Sequence, residues 1–290
     1  MRILTRSHLA YTLVLATLIG VGIGTMSALG LEAGWFPGLI AFAAMVVLLQ
    51  RKSLRRWRTT RAPLPEWKRK WLATHLPLYT SLSQTDRGRF DVDVQIVLNE
   101  WRFEGVNGAQ PTEARRLSVA AGAALLMHGH PEWELPYRQG VLFYPDHFDD
   151  DYDIEAHADF DGMAHQQGPI ILSIRALDTA WNRPGDGNVV LHELAHLLDY
   201  KTEFADGMPA LVDARSADAW ADLVDREMDR IERGDSIIRD YGATEPAEFF
   251  ACAVESFFVE PSRLARHHAE LFGALKALFN LDPRAGTTVR

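Results

Sequence analysis

The 290-residue chain is 47% apolar and 10% aromatic, which excludes a disordered or collagen-like protein and provides for a sizeable core. Its 39 acids outnumber 30 bases, for a formal net charge of −9, and one cysteine excludes both an intramolecular disulfide and a cysteine-rich zinc module. The charge is uneven: residues 1–62 hold eight Lys/Arg against Glu32, while the other 228 residues hold 22 bases and 38 acids. An acidic body repels phosphates, so no nucleic-acid partner is expected.

Leu9 to Leu31 is an uncharged run of 23 residues, long enough as a helix to cross a hydrocarbon core of about 30 Å. It exceeds the apolar core of a signal peptide and lacks a small-x-small cleavage site. Trp35 to Leu49 is a second uncharged run, followed by the basic block RKSLRRWR. Both ends of this pair are basic and the connection is not, so a transmembrane hairpin over residues 1–57 is expected, with its ends on the cytoplasmic side. The basic block reads first as a stop-transfer flank; it can also lie on anionic headgroups.

A Thr- and Pro-containing linker is expected at 58–66, then one domain over 67–290. Trp67–Leu82 reads as helix, broken or ended by Pro77, and Arg87–Trp101 as a second helix. Thr112–His128 is a buried helix capped by Thr112. Val141–Tyr144 and Gly168–Ile174 read as strands, the latter as an interior strand or as an edge on which a peptide pairs. Asn188–Leu198 is helical with Asp186 or Asn188 as cap, and further helices are expected at Ser216–Arg233, Glu245–Phe258 and Pro261–Phe279. The fold class is therefore α+β, mostly helical with a small sheet, behind two transmembrane helices. The acidic run at 146–162 lacks calcium-loop spacing and reads as a solvated loop. His128, His130, His267 and His268 are expected in surface or packing roles.

The chemistry lies in VVLHELAHLLDY at 189–200. His192 and His196, four residues apart on a helix, share one face and can bind one Zn²⁺ per chain. Glu193 sits beside that face, where it reaches a water rather than the metal, as a general base must. Three polar residues on an otherwise apolar helix need partners. Asp199 reads equally as a support for a ligand imidazole or as a solvated helix end. The third ligand is sought among Glu245, Glu248 and Glu255. Glu245 suits a helix start, where Thr244 can cap. Glu248, flanked by Phe249, Phe250 and Ala251, is the expected third ligand, and Glu255 a supporting or substrate-contacting acid. Cys252 reads as packing.

HELAHLLD followed by YGATEPAEFFACAVESFF resembles the Mlc titration factor A family of zinc-dependent peptidases. YPDHF (144–148), GPIILS (168–173), GMPAL (207–211) and LFNLDP (278–283) agree with it, from Trp67 to Pro283. YGATEPAEFFA is also similar to the corresponding stretch of anthrax lethal factor, which implies Glu248 as zinc ligand and Tyr241 facing the reacting carbonyl. Cys252 departs from that stretch, which has an acid there, and the hairpin departs from the soluble namesake. The resemblance implies a zincin-like, gluzincin-type fold with weak aminopeptidase-type activity, and in the namesake a sugar-responsive transcriptional repressor as partner.

The residues thus predict a zinc metallopeptidase acting on peptide or protein substrates, with zinc on His192, His196 and Glu248 and with Glu193 catalytic, and the resemblance implies Tyr241 as a second catalytic residue. Its expected place is a bacterial inner membrane, with the catalytic domain in the cytoplasm. Quality control of membrane proteins would differ only in substrate. The alternative is a binding protein that sequesters a repressor, but Glu193 has no use in a purely structural zinc site.

Overall fold

A computed structural model describes residues 3, 6–30, 35–136, 139–146, 162–164, 168–182, 187–199 and 216–288. The GMPAL stretch and Asp186 lie outside these residues, as do most of the acidic run and part of YPDHF. The chain forms two compact units, Met1–Pro63 and Leu64–Arg290.

In the first unit, α1 (Arg6–Gly30) and α2 (Phe36–Thr60) are both long and apolar enough to cross a membrane. They run antiparallel. Gln50 Nε2 donates to Thr12 Oγ1 at 2.8 Å, and the two backbones meet at Gly20, Gly24 and Gly38. Small residues permit such an approach between helices in lipid. Val14, Leu18, Met26, Leu29, Leu39, Ile40 and Val47 face outward. α2 does not end with its apolar run. It continues through the basic block to Thr60, into the stretch expected as a linker, because Lys and Arg are good helix formers.

The second unit opens with α3 (Glu66–His75) and α4 (Pro77–Ser81), divided at Leu76, whose extended backbone suits the residue before a proline. α5 (Gln84–Glu100) starts earlier than its apolar pattern suggests, because Ser83 Oγ accepts the Asp86 N–H. A strand not anticipated from the sequence, β1 (Arg102–Gly105), precedes α6 (Glu113–Met127). Thr112 caps α6 as expected, and every residue from Leu117 to Met127 is buried.

β2 (Gly140–Tyr144), β3 (Gly162–Ala164) and β4 (Ile170–Ser173) complete a sheet ordered β1-β2-β4-β3. The first three strands in that order are parallel and β3 is antiparallel to β4. The edge reading of Gly168–Ile174 is therefore corrected. β4 is interior and fully buried, and the edge beside it belongs to β3, too short to carry an alternating pattern. The run also stops at Ser173, which caps α7 (Ile174–Thr179).

α8 (Val189–Asp199) is buried on all sides except at Val189. It packs against α6 where Gly122 meets Val190 and Leu194; a methyl there would come within 2.7 Å of Val190 Cγ1. α9 (Ala217–Glu232) leads to a 3-10 turn at Asp240–Ala243, then to α10 (Pro246–Val259). Pro261–Phe279 is not one helix. α11 (Pro261–His267) and α12 (Ala269–Leu278) are separated by His268, whose ring is buried rather than exposed. β5 (Leu281–Asp282) and β6 (Thr287–Thr288) close the chain as a small hairpin.

The far end of α10 is fixed by an aromatic cluster. Phe257 is fully buried, with Phe258, Phe272 and Phe279 centred 5.0, 5.4 and 5.6 Å away. Phe257→Ala is expected to lower stability by about 3–5 kcal/mol, the usual cost of an emptied aromatic site. Denaturant unfolding followed by tryptophan fluorescence checks this, and a loss below about 1 kcal/mol would mean the cluster repacks.

Candidate metal centre

The centre is made where α8 and α10 face each other. Asn188 sets the start of α8: its Oδ1 accepts the Leu191 N–H at 3.1 Å, and its Nδ2 donates to the Ala180 carbonyl at 2.9 Å. The turn rise then puts His192 and His196 side by side, with ring centres 4.9 Å apart. On α10, Pro246 opens the helix and Glu248 falls in its first turn. Thr244 does not cap it; its hydroxyl donates to the Tyr241 carbonyl instead.

Glu248 and Glu255, two turns apart, grip opposite ends of one imidazole. Glu248 Oε2 lies 2.8 Å from His192 Nε2, and Glu255 Oε1 lies 2.8 Å from His192 Nδ1. Glu248 Oε1 also lies 3.5 Å from His196 Nε2. An ionised carboxylate only accepts, so His192 turns an N–H toward each of these two partners. Burial alone would depress its pKa, but contacts with Cys252, Glu248 and Glu255 hold it well above the usual value. A metal on Nε2 would take the place of that proton and leave the Nδ1–H to Glu255.

His192, His196 and Glu248 present ligand atoms all within 4.8 Å of one another. Two imidazoles, a carboxylate and room for a fourth group form a donor set for a divalent metal. A second triple, His192, Cys252 and Glu255, shares His192. There Arg239 Nη2 reaches both the Glu255 carboxylate and, at 3.6 Å, Cys252 Sγ. A guanidinium at those donors opposes a second cation.

The three carboxylates differ in their neighbours. Despite burial, hydrogen bonds from His192 and His196 carry Glu248 down to about 2. Despite burial, His192, Arg239 and the Asn188 N–H hold Glu255 below its usual range. Glu193 has burial without such donors and is pushed up to about 7. Its Oε2 is buried with no hydrogen-bond partner among the described residues. An orphaned buried oxygen beside a two-histidine, one-carboxylate set fits a metal with its water.

β3 lies directly on Glu193. A methyl at Gly162 would come within 2.5 Å of Glu193 Oε1, so glycine is what lets the strand approach. Tyr241, carried by the 3-10 turn, has its ring 5.9 Å from that of His192. Burial, and then the charge of Glu248, raise its hydroxyl pKa. Asp199 is fully buried, which removes the solvated reading. Glu245 stands at the start of α10, not among the donors.

The sequence pattern of the glucose-regulated metallo-peptidase M90 family matches residues 50–280. The chain belongs to this family. It is 30% identical over 240 residues to an uncharacterized protein of Synechocystis sp., covering 76% of this chain and 86% of that one. It is 27% identical over 230 residues to Mlc titration factor A of Klebsiella pneumoniae, covering 73% and 86%. Against Mlc titration factor A of Escherichia coli the identity is 25% over 228 residues, covering 73% and 85%.

Within this M90 chain, three sets of contacts around the donor set escape the sequence reading: Arg239 on Glu255, Asn188 on both Glu255 and Ala180, and Gly162 on Glu193. The signal for the first was Glu255 itself, an acid deep in an apolar helix that needs cationic and N–H partners. Loss of a carboxylate behind a metal-bound histidine typically costs 10–100-fold in metal affinity. Glu255→Gln is therefore expected to weaken metal retention by about that factor, read by competition with a chromophoric chelator. Unchanged affinity would remove Glu255 from the support of His192.

Proposed function

We propose that the protein is a zinc-dependent peptidase, with zinc held by His192 Nε2, His196 Nε2 and Glu248, Glu193 as general base and Tyr241 supporting the oxyanion. The observation that carries this reading is the Glu193 carboxylate, buried and with one unpartnered oxygen beside the donor set. Zinc, when bound, acidifies water and polarises the scissile carbonyl. Glu193 takes a proton from the attacking water and delivers it to the leaving amine nitrogen. A carboxyl near 7 is matched to both transfers. A neighbouring cation lowers that value, so kcat/KM falls away on the acid side of pH 7 as Glu193 becomes protonated. Tyr241 keeps its proton and can donate it in a hydrogen bond to the developing oxyanion. β3 offers its backbone to an extended peptide beside Glu193.

A second reading rests on the relatives named Mlc titration factor A: a protein that sequesters a transcriptional regulator, with incidental hydrolysis. Glu193→Gln separates the two. It keeps the side-chain shape and removes the base. Zinc content by metal analysis should stay at one per chain, while peptide-library cleavage should fall roughly 10²–10⁴-fold. Equal cleavage by both proteins would make the observed hydrolysis extraneous and favour the regulator reading.

The two long apolar helices support a place of action at a membrane. Basic flanks at both ends support a cytoplasmic catalytic unit. A reporter fused after residue 62 should be cytoplasmic and one inserted at 30–34 external. The opposite pattern would move the peptidase outside.

A further inference from the structure

A second buried cluster lies at the junction of α11 and α12. The His268 side chain is fully enclosed; its Nδ1 meets Glu227 Oε2 at 2.5 Å and its Nε2 lies 3.3 Å from Ser236 Oγ. Acid, imidazole and hydroxyl in that order have the look of a hydrolase triad. The backbone rules that out. His268 Nε2 already accepts the Ile237 N–H at 3.2 Å, and Ser236 Oγ accepts the Ile238 N–H at 3.1 Å. An imidazole whose lone pair is taken by a backbone amide is not a base.

What the cluster does is fix a stretch of chain. With Nε2 an acceptor, Nδ1 carries the proton and donates it to Glu227. Arg230 braces the same corner, donating to Glu227 Oε1 at 3.0 Å and to the Asp235 and His267 carbonyls at 3.3 and 3.0 Å. The chain held in this way, Ser236–Ile238, runs straight into Arg239, which contacts Glu255, and into the turn that carries Tyr241. Neither Arg239 nor Tyr241 belongs to a long helix or strand that could hold it in place.

We propose that Glu227 and His268 are positioning residues for the metal centre: they fix Ser236–Ile238 so that Arg239 reaches Glu255 and Tyr241 stands beside His192. This rests on the peptidase reading of that centre. The two residues touch neither the donor set nor Glu193. They act through the placement of the two that follow.

The test uses the full-length protein with a peptide that wild type cleaves. His268→Leu removes the acceptor for Ile237, whereas His268→Gln retains an amide oxygen for it. The Leu variant should lose roughly 10- to 100-fold in kcat, with KM and metal content little changed, as misplacement by about an ångström typically costs. The Gln variant should recover most of that loss. In a Tyr241→Phe background, His268→Leu should cost clearly less than in wild type, because the hydroxyl it positions is gone. If the Leu variant does not fold, Glu227→Gln is carried through the same comparison. Wild-type kcat in the folded variants, or losses that multiply in full with Tyr241→Phe, would overturn the proposal. If wild type cleaves no peptide, the peptidase reading fails on its own. Positioning is then read from amide exchange at Ile237 and Ile238, expected to quicken by about tenfold or more in the Leu variant. Unchanged exchange would overturn it.

Discussion

The structure turns on one imidazole held between two carboxylates of the facing helix. Glu248 and Glu255 lie seven residues apart on α10, close to two full turns, and so meet the two nitrogens of His192 on α8 from either side. That geometry requires α8 and α10 to stay in register. α6 presses on α8 at Gly122, Asn188 ties the start of α8 to the end of α7, and the phenylalanine cluster around Phe257 anchors the far end of α10. The centre is thus assembled from helices, and among the described residues Tyr241 and Arg239 arrive on a turn and a loop.

The same arrangement gives the three acids different neighbours. Three carboxylates share a small volume, and burial disfavours the charge of each. Histidine and arginine donors overcome that for Glu248 and Glu255, which stay anionic and suit binding and bracing. Glu193 lacks those donors, and burial pushes it up to about 7, in keeping with the proton transfer proposed for it. Three acids in one small volume therefore differ in their ease of ionisation because of what faces each.

Much of this is legible in the sequence, for reasons of period. The four-residue spacing of His192 and His196 puts both rings on one helix face, and Glu248 among phenylalanines announces a partly buried acid in need of a partner. The apolar runs near the start announce α1 and α2 and set the extent of α1. What is hidden has no period to reveal it. β3 is three residues long, and Arg239 reaches across from a loop. The break at His268 has neither proline nor glycine at the junction, so the apolar pattern runs through it. α2 outlasts its apolar stretch because a charge marks a membrane boundary, not a helix end.

The donor set and its rival differ in one element. His192, His196 and Glu248 offer only nitrogen and oxygen, whereas His192, Cys252 and Glu255 include sulfur. X-ray absorption at the zinc edge of the purified full-length protein separates them in one spectrum. The account predicts light scatterers alone at about 2.0–2.2 Å, two of them imidazole nitrogens. A sulfur shell at about 2.3 Å would place the metal on Cys252, away from Glu193, and contradict it.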